Sequence, residues 1–407
     1  MPHKNKFLIP ILLALVILPM IATDIYLPAM PTIGLQLGVM NSDITNTLTS
    51  YMLGYSLSLL LAGILADMYG RRFICIVGLT IFCISSIGCY FALTIEQLIA
   101  FRFFQALGGG CGTLIARVIV RDLYDQQSQV RVLSYLAAGM VVSPVVGPIL
   151  GAYLTSYFDW RSIFLMLIIF SFLVLIFLYA FMNESLINLK GDRRSSWFSV
   201  AISQYAFLLG HREFLFYTLA ISLAWMVYFA FISSSPALIQ DFYQTTAIEY
   251  GYIFAATISG FIFGTVFIRW KMATLNLRHL VFLAGTIIFI ATLIIYALTV
   301  LDIKPLHVRL TFVFFALFGI GIIFPAAQAG VTRPFKNSIG LISGLFYATE
   351  MFFGAICGYI LSAIGNATWI STSLIMLIAA AGIVLLCIFD RWHEASKQMI
   401  SFNPLVK

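Results

Sequence analysis

The chain has 407 residues, 61% of them hydrophobic and only 10% charged, and its mean hydropathy is +1.01. Soluble domains carry about 25% charged residues, so a water-soluble globule is excluded and the chain reads as an all-α integral membrane protein. Its net charge of +7 falls at the ends of apolar runs, where it reports topology, and implies no nucleic-acid partner.

A run of about 20 apolar residues crosses about 30 Å of hydrocarbon. Twelve such spans follow in chain order, near 7–29, 44–66, 73–95, 97–119, 131–155, 162–182, 214–236, 249–268, 279–299, 309–329, 339–362 and 369–389. The first contains Asp24, meets Pro28 and Pro31 and lacks a small-x-small cleavage pattern, so it reads as a span and not as a signal peptide. Segment 183–213 is polar and basic, with Lys190, Arg193, Arg194 and Arg212, and divides six spans from six. The expected organisation is an N-terminal six-helix bundle over 1–182, a cytoplasmic linker over 183–213 and a C-terminal six-helix bundle over 214–407.

Lys and Arg are retained on the cytoplasmic side. With both termini inside, eighteen of the 23 basic residues lie on cytoplasmic segments, Lys4, Lys336 and Lys407 among them. Arg161, Lys304 and Arg309 lie outside, and Arg102 and Arg117 lie in the membrane. The six cysteines (Cys75, Cys83, Cys89, Cys111, Cys357, Cys387) sit inside apolar spans without paired spacing, which makes them packing residues and argues against a disulfide framework or a zinc site. None of the five histidines (His3, His211, His279, His307, His393) falls well inside a span, and no metal, cofactor, Ser-His pair or nucleotide loop is implied, so an intramembrane enzyme is disfavoured. No ring of charge or filter sequence suggests a channel.

A charge near the bilayer centre costs about 2.5 to 3.5 kcal/mol by the mildest scales. Asp24, Asp67, Arg102, Arg117 and Glu350 are therefore the first functional candidates. At 1.5 Å per residue, Asp24 lies about 25 Å from the inner end of its span and Arg102 about 8 Å from the outer end of its own. The two share a depth, so an Asp24–Arg102 pair can keep the carboxylate ionised until a proton or substrate disturbs it; a permanent ion pair is the structural alternative. Gln105 lies three residues on, on the same helical face. Arg117 is close enough to the inner surface to snorkel there.

Between spans 2 and 3 the chain reads Gly63-Ile-Leu-Ala-Asp67-Met-Tyr-Gly70-Arg71-Arg72. A carboxylate, a turn glycine and two arginines form a charge cluster able to lock two helices in one state, and Asp122, at the cytoplasmic end of span 4, is the expected partner of Arg71. Span 5 carries Gly139, Ser143, Gly147 and Gly151, a small residue every fourth position, with Pro144 and Pro148 between them. Such a ladder permits close helix contact and a bend.

These stretches resemble the major facilitator superfamily. The loop matches its G-x-L-x-D-x-x-G-R-R signature, Arg102-Phe-Phe-Gln105 is similar to its R-x-x-Q-G element, and Gly147-Pro148-x-x-Gly151 is similar to its antiporter element, with Ala152 at the usual second glycine. Thr23-Asp24-Ile-Tyr26-Leu-Pro28-Ala-Met-Pro31 and Ala116-Arg117-Val-Ile-Val-Arg121-Asp122 resemble the T-D-x-Y-L-P-A-x-P and A-R-A-I-V-R-D stretches of the Bcr/CflA drug:proton antiporters. The resemblance implies the major facilitator fold, a central cavity and alternating access. It implies a proton-coupled exporter of amphipathic drug-like small molecules in the bacterial inner membrane, with Asp24 in proton coupling. Arg102, at the same depth, and Glu350 are the further proton-coupling candidates from their place in the membrane, and a monomer is expected. Asp67, Gly70, Arg71, Arg72, Asp122, Gly147, Pro148 and Gly151 would govern switching. A transporter of one specific metabolite, such as a siderophore, sugar or amino-acid derivative, and a non-transporting membrane receptor are the alternatives.

The second half departs from the pattern. Its counterpart of the charged loop, Arg269-Trp-Lys271 and Asn276-Leu-Arg278, has no aspartate, and span 10 keeps Gly321, Pro325 and Gln328. In span 11 Glu350 stands where relatives tend to carry glutamine. Eleven residues into its helix, it lies about 17 Å deep, as a proton or cation site or as a protonated packing residue. Candidate cavity residues are the aromatics Tyr26, Trp225, Tyr228, Phe229, Phe324, Phe346 and Tyr347, a set suited to amphipathic molecules, together with Gln105 and Gln328.

Overall fold

The computed structural model describes residues 6–186, 194–271, 276–335, 339–365 and 368–401. Lys4, Lys190, Arg193, Lys336, Lys407 and His3, singled out above, lie outside the described residues. Among the described residues, twelve helices are long and apolar enough to cross a membrane.

The first bundle contains α1 (Leu8–Asp24), α2 (Met30–Leu37), α3 (Asn41–Tyr69), α4 (Arg71–Phe91), α5 (Ile95–Leu123), α6 (Gln126–Tyr157) and α7 (Arg161–Phe181). The linker holds α8 (Arg194–Gly210), and the second bundle contains α9 (Arg212–Pro236), α10 (Ala247–Lys271), α11 (Leu277–Val300), α12 (Leu306–Thr332), α13 (Ile339–Ala363) and α14 (Trp369–Ser401).

Three boundaries differ from the sequence expectation. The first span, expected to end near 29, continues to Leu37, through a 3-10 turn at Leu27–Ala29 and α2. Pro28 and Pro31 fall in the first turns of those two elements, where no backbone N–H is needed. Span 7 runs on through a π turn at Ala237–Asp241. The linker, read as a loop, holds a helix that is anchored where the Tyr205 hydroxyl donates to the Leu60 carbonyl of α3 at 3.1 Å.

Helix starts are capped by local polar groups. The Asp43 carboxylate accepts from Met40 N at 3.2 Å, Thr94 Oγ1 from Gln97 N at 3.4 Å, and Asn276 Oδ1 from Arg278 N at 3.1 Å. These bonds satisfy N–H groups that have no intrahelical partner.

Two seams join the bundles: α3 packs along α13 and α6 along α10. The hydrogen bonds described between the bundles cluster at the end opposite the Asp67 loop. There Gln240 donates to the Pro28 carbonyl (3.2 Å), Asn41 to Asp241 (3.0 Å) and Ser362 to the Ser42 carbonyl (3.2 Å), and the hydroxyls of Tyr153 and Tyr252 meet at 3.0 Å. At mid-depth Ser56 donates to the Ala348 carbonyl at 2.7 Å. That end of the molecule is closed.

Candidate functional site

Asp24 is the last residue of α1 and is buried. Its one described hydrogen bond comes from Ser143 Oγ, which donates to Oδ2 at 2.7 Å. The small-residue ladder of α6 brings the two together. A Cβ placed on Gly147 would stand 2.6 Å from Asp24 Cβ, and one on Gly151 only 1.9 Å from the Ile25 carbonyl oxygen. Bare backbone at 147 and 151 therefore lets α6 press against the end of α1 and sets Ser143 under the carboxylate. Pro144 and Pro148 remove two rungs of the backbone ladder beside this contact. Across the interface, Asp24 is within electrostatic reach of Tyr228 and Tyr250, from α9 and α10.

Arg102 does not pair with Asp24, contrary to the depth argument. It is 0% exposed, with Nη1 donating to the Ala22 carbonyl (3.0 Å) and to Gln105 Oε1 (2.7 Å). Its guanidinium lies over the rings of Tyr26 (4.7 Å) and Tyr51 (4.2 Å), contacts worth about 0.5 to 2 kcal/mol each. Thr47 Oγ1 donates to the Tyr26 hydroxyl (3.0 Å), the Tyr51 hydroxyl to the Pro19 carbonyl (2.7 Å) and Gln105 Nε2 to Ser86 Oγ (2.8 Å). The clamped rings hold the guanidinium inside the first bundle, while the α6 ladder draws Asp24 the other way. Equal depth fixes only one of the three coordinates that a pair needs. Tyr26 and Gln105, candidates for substrate contact, are 0% exposed here and belong to this internal cluster.

Glu350 lies on α13 at the bundle interface, is 0% exposed and has no hydrogen-bond partner at either carboxylate oxygen. Around it stand Tyr55 of α3, Arg117 of α5 and Tyr347 one turn earlier on α13, all within electrostatic reach. Arg117 does not snorkel. Its guanidinium lies over the Tyr347 ring at 4.6 Å, and Nη2 reaches Met140 Sδ at 3.2 Å. The partnership crosses from one bundle to the other and left no trace in the spacing.

Three of the proposed aromatics converge, together with Phe261, which the sequence reading missed. Ring centroids are 4.8 Å apart for Trp225 and Tyr228, 6.3 Å for Tyr228 and Phe261, 5.4 Å for Phe261 and Phe324, and 5.9 Å for Phe324 and Trp225. The four close a circuit contributed by α9, α10 and α12, in which Trp225, Phe261 and Phe324 are half-buried. Phe229 and Phe346 are fully buried packing residues. Phe346 stands edge-on to half-buried Tyr347 at 5.1 Å. Gln328 is exposed, one turn after Phe324 on α12.

The charged loop forms one cluster. Arg71 pairs with Asp67 and, through Nε at 3.3 Å, with Asp122. The sequence reading missed Glu184, just after α7, whose two carboxylate oxygens accept the backbone N–H groups of Arg71 (2.9 Å) and Arg72 (3.0 Å). It caps α4 and favours the positive end of that helix. Gly70 has φ +100°, and a Cβ there would meet Glu184 Oε2 at 2.6 Å, so only glycine fits the turn. Arg72 donates from Nη2 to the Tyr179 carbonyl at 2.7 Å. Glu184→Ala is expected to destabilise the protein by about 1 kcal/mol, measured as a lower midpoint of thermal unfolding in detergent; an unchanged midpoint would remove the capping role.

The second bundle has an equivalent network without the aspartate in the loop. Asp390, within α14, accepts from Arg212 Nη2 at 2.8 Å and pairs with Arg278 at 3.3 Å, and Arg278 also reaches Glu213 at 3.3 Å. The loop signature is lost there, but a carboxylate still reaches the start of the third span of each bundle, Glu184 from just after α7 and Asp390 from within α14.

Among solved structures, a bacterial homolog of the human lysosomal transporter Spinster, in its inward-facing and occupied conformation, superposes with a TM-score of 0.71 at 16% identity, over 98% of this chain and 97% of that one. The partially occluded inward-open xylose transporter XylE from E. coli gives 0.71 at 14% identity, over 99% of this chain and 98% of that one. These likenesses establish the fold. Among sequences, the MFS-type transporter YdgK of Bacillus subtilis (strain 168) is 26% identical over 380 residues, 93% of this chain and 94% of that one. The multidrug resistance protein MdtL of Escherichia coli O157:H7 is 27% identical over 381 residues, 92% of each chain. The sequence model of the Major Facilitator Superfamily matches residues 12–356. With twelve spans in two bundles and a match across most of its length, this chain belongs to the major facilitator superfamily of membrane transporters.

Proposed function

We propose that this transporter is a proton-coupled exporter of amphipathic, drug-like small molecules of the Bcr/CflA type, working as a monomer in the bacterial inner membrane with both termini cytoplasmic. The observation that carries the reading is Asp24. It is a buried carboxylate with one hydrogen bond and no ion pair among the described residues, held where α1 meets α6 and within electrostatic reach of Tyr228 and Tyr250 of the other bundle. Adding or removing a proton there changes the charge beside the seam between the two bundles, where α6 packs along α10. A ligand or proton moves a conformational equilibrium only through its differential affinity for the two states, and this placement supplies such a difference.

The distribution of basic residues supports an orientation with the Asp67 loop and the linker in the cytoplasm. The closed end then faces outward. Export is favoured over uptake by the Gly147-Pro148-x-x-Gly151 element and by the multidrug relatives, and the Trp225–Tyr228–Phe261–Phe324 circuit offers apolar and π surface to an amphipathic molecule.

The test is purified protein in proteoliposomes with an imposed pH gradient and a panel of amphipathic fluorescent compounds. Accumulation of at least one compound is expected against its own gradient, and a protonophore should abolish it. Transport indifferent to the pH gradient would overturn proton coupling.

Switching belongs to the loop cluster, which lies away from the aromatic circuit. Asp67→Asn or Arg71→Ala should slow transport about tenfold while equilibrium affinity stays within about threefold, because the lost ion pairs rebalance states without touching the ligand. A large loss of affinity with normal turnover would assign the cluster to binding.

A further inference from the structure

Glu350 combines three features that the packing of α13 alone does not account for. Both oxygens are without a hydrogen-bond partner at 0% exposure, although buried polar groups are nearly always satisfied. The positive charge in reach, Arg117, is itself shared with the Tyr347 ring and Met140. One turn along α13, the bare backbone of Gly354 receives the indole of Trp225, for a Cβ there would lie 2.6 Å from Trp225 Nε1. That places the first ring of the aromatic circuit beside the carboxylate.

We propose that Glu350 is the counter-ion of a monovalent organic cation whose apolar body rests on Trp225, Tyr228, Phe261 and Phe324. The inference rests on the exporter reading and names a substrate class for the same interface. A neutral ligand would leave the carboxylate charge balanced only by the shared Arg117, and an anion would meet Glu350 directly. A monocation restores one positive charge beside Glu350 and frees Arg117 to its contacts with Tyr347 and Met140. Aromatic faces attract organic cations through the ring quadrupole, and a charge-assisted contact in a desolvated site is stronger than a neutral one. The titratable and charged groups facing the carboxylate are Tyr55 from α3, Arg117 from α5 and Tyr347 from α13 itself, and α9 contributes the uncharged Trp225.

The test is equilibrium binding to purified, monodisperse protein in detergent, with no gradient. The probes are tetraphenylphosphonium, a permanent cation, and N-phenyl-1-naphthylamine, which is neutral. Glu350→Gln is expected to weaken tetraphenylphosphonium binding by about five- to 150-fold and Glu350→Asp by less, while the neutral probe shifts by no more than about twofold. Trp225→Leu should weaken both. A second measurement needs no variant: tetraphenylphosphonium should protect Glu350 of the wild-type protein from modification by dicyclohexylcarbodiimide, read by mass spectrometry. Equal loss of both probes, no loss of either, or absence of protection overturns the inference. Because no proton gradient enters, Glu350-dependent cation binding in a protein that fails to export against a gradient would overturn the exporter reading alone.

Discussion

Asp24→Asn is expected to reduce gradient-driven export to the level of protein-free liposomes while the protein remains inserted and monodisperse. The substitution keeps the shape of the side chain, and the amide oxygen can still accept from Ser143, whose hydroxyl lies 2.7 Å from the native carboxylate. It removes only the group that changes charge. If the α1–α6 contact is where protonation acts on the conformational equilibrium, an uncharged asparagine gives the two states a fixed energy difference and the gradient has nothing to act on. Asp24→Glu keeps the titrating group but adds a methylene where a Cβ on Gly147 would already lie 2.6 Å from Asp24 Cβ, so it should transport slowly and remain gradient-dependent. The measurement is substrate flux in proteoliposomes at several imposed pH differences. Normal gradient-driven flux by the asparagine variant would end the assignment.

Gly151→Ala should have the largest effect on the scaffold of this site. The added methyl would stand 1.9 Å from the Ile25 carbonyl oxygen and 2.8 Å from its carbon, far inside contact distance, and the obstacle is backbone, which cannot rotate away. Helix α6 must retreat from α1. Overpacking of this kind costs about 1 to 3 kcal/mol, and the retreat also pulls Ser143, eight residues earlier on the same face, away from Asp24. The expected result is a lower unfolding midpoint in detergent together with loss of export. Gly210→Ala is the control, because nothing lies within 4 Å of its added Cβ and both properties should be unchanged. Equal midpoints for the two variants would mean that α1 and α6 are not in tight contact.

The spans, the separation into six and six, and Asp24 and Glu350 as charges within helices were legible in the sequence because they depend on properties that add up along the chain. An apolar run of fixed length, a basic residue at a span end and a depth counted at 1.5 Å per residue need no knowledge of neighbouring helices. The Arg71–Asp122 pair was legible for the same reason, since both residues sit at helix ends that must share one membrane surface.

What the sequence left open is the direction in which each side chain points. In a chain this apolar, the faces of a helix differ little in hydropathy, so periodicity does not tell a lipid face from an interface. Only the packing of α6 on α1 made Ser143 the donor to Asp24, and only the placement of Tyr26 and Tyr51 took Arg102 away from it. Glu184 and Asp390 were invisible as partners because each holds the start of a helix far away in sequence. Phe261 joined the aromatic circuit, and Arg117 turned toward Tyr347, through contacts between helices whose registration is set by ridges, grooves and small residues across the whole assembly. Those distances are properties of twelve helices together, which is why no single stretch of this chain carried them.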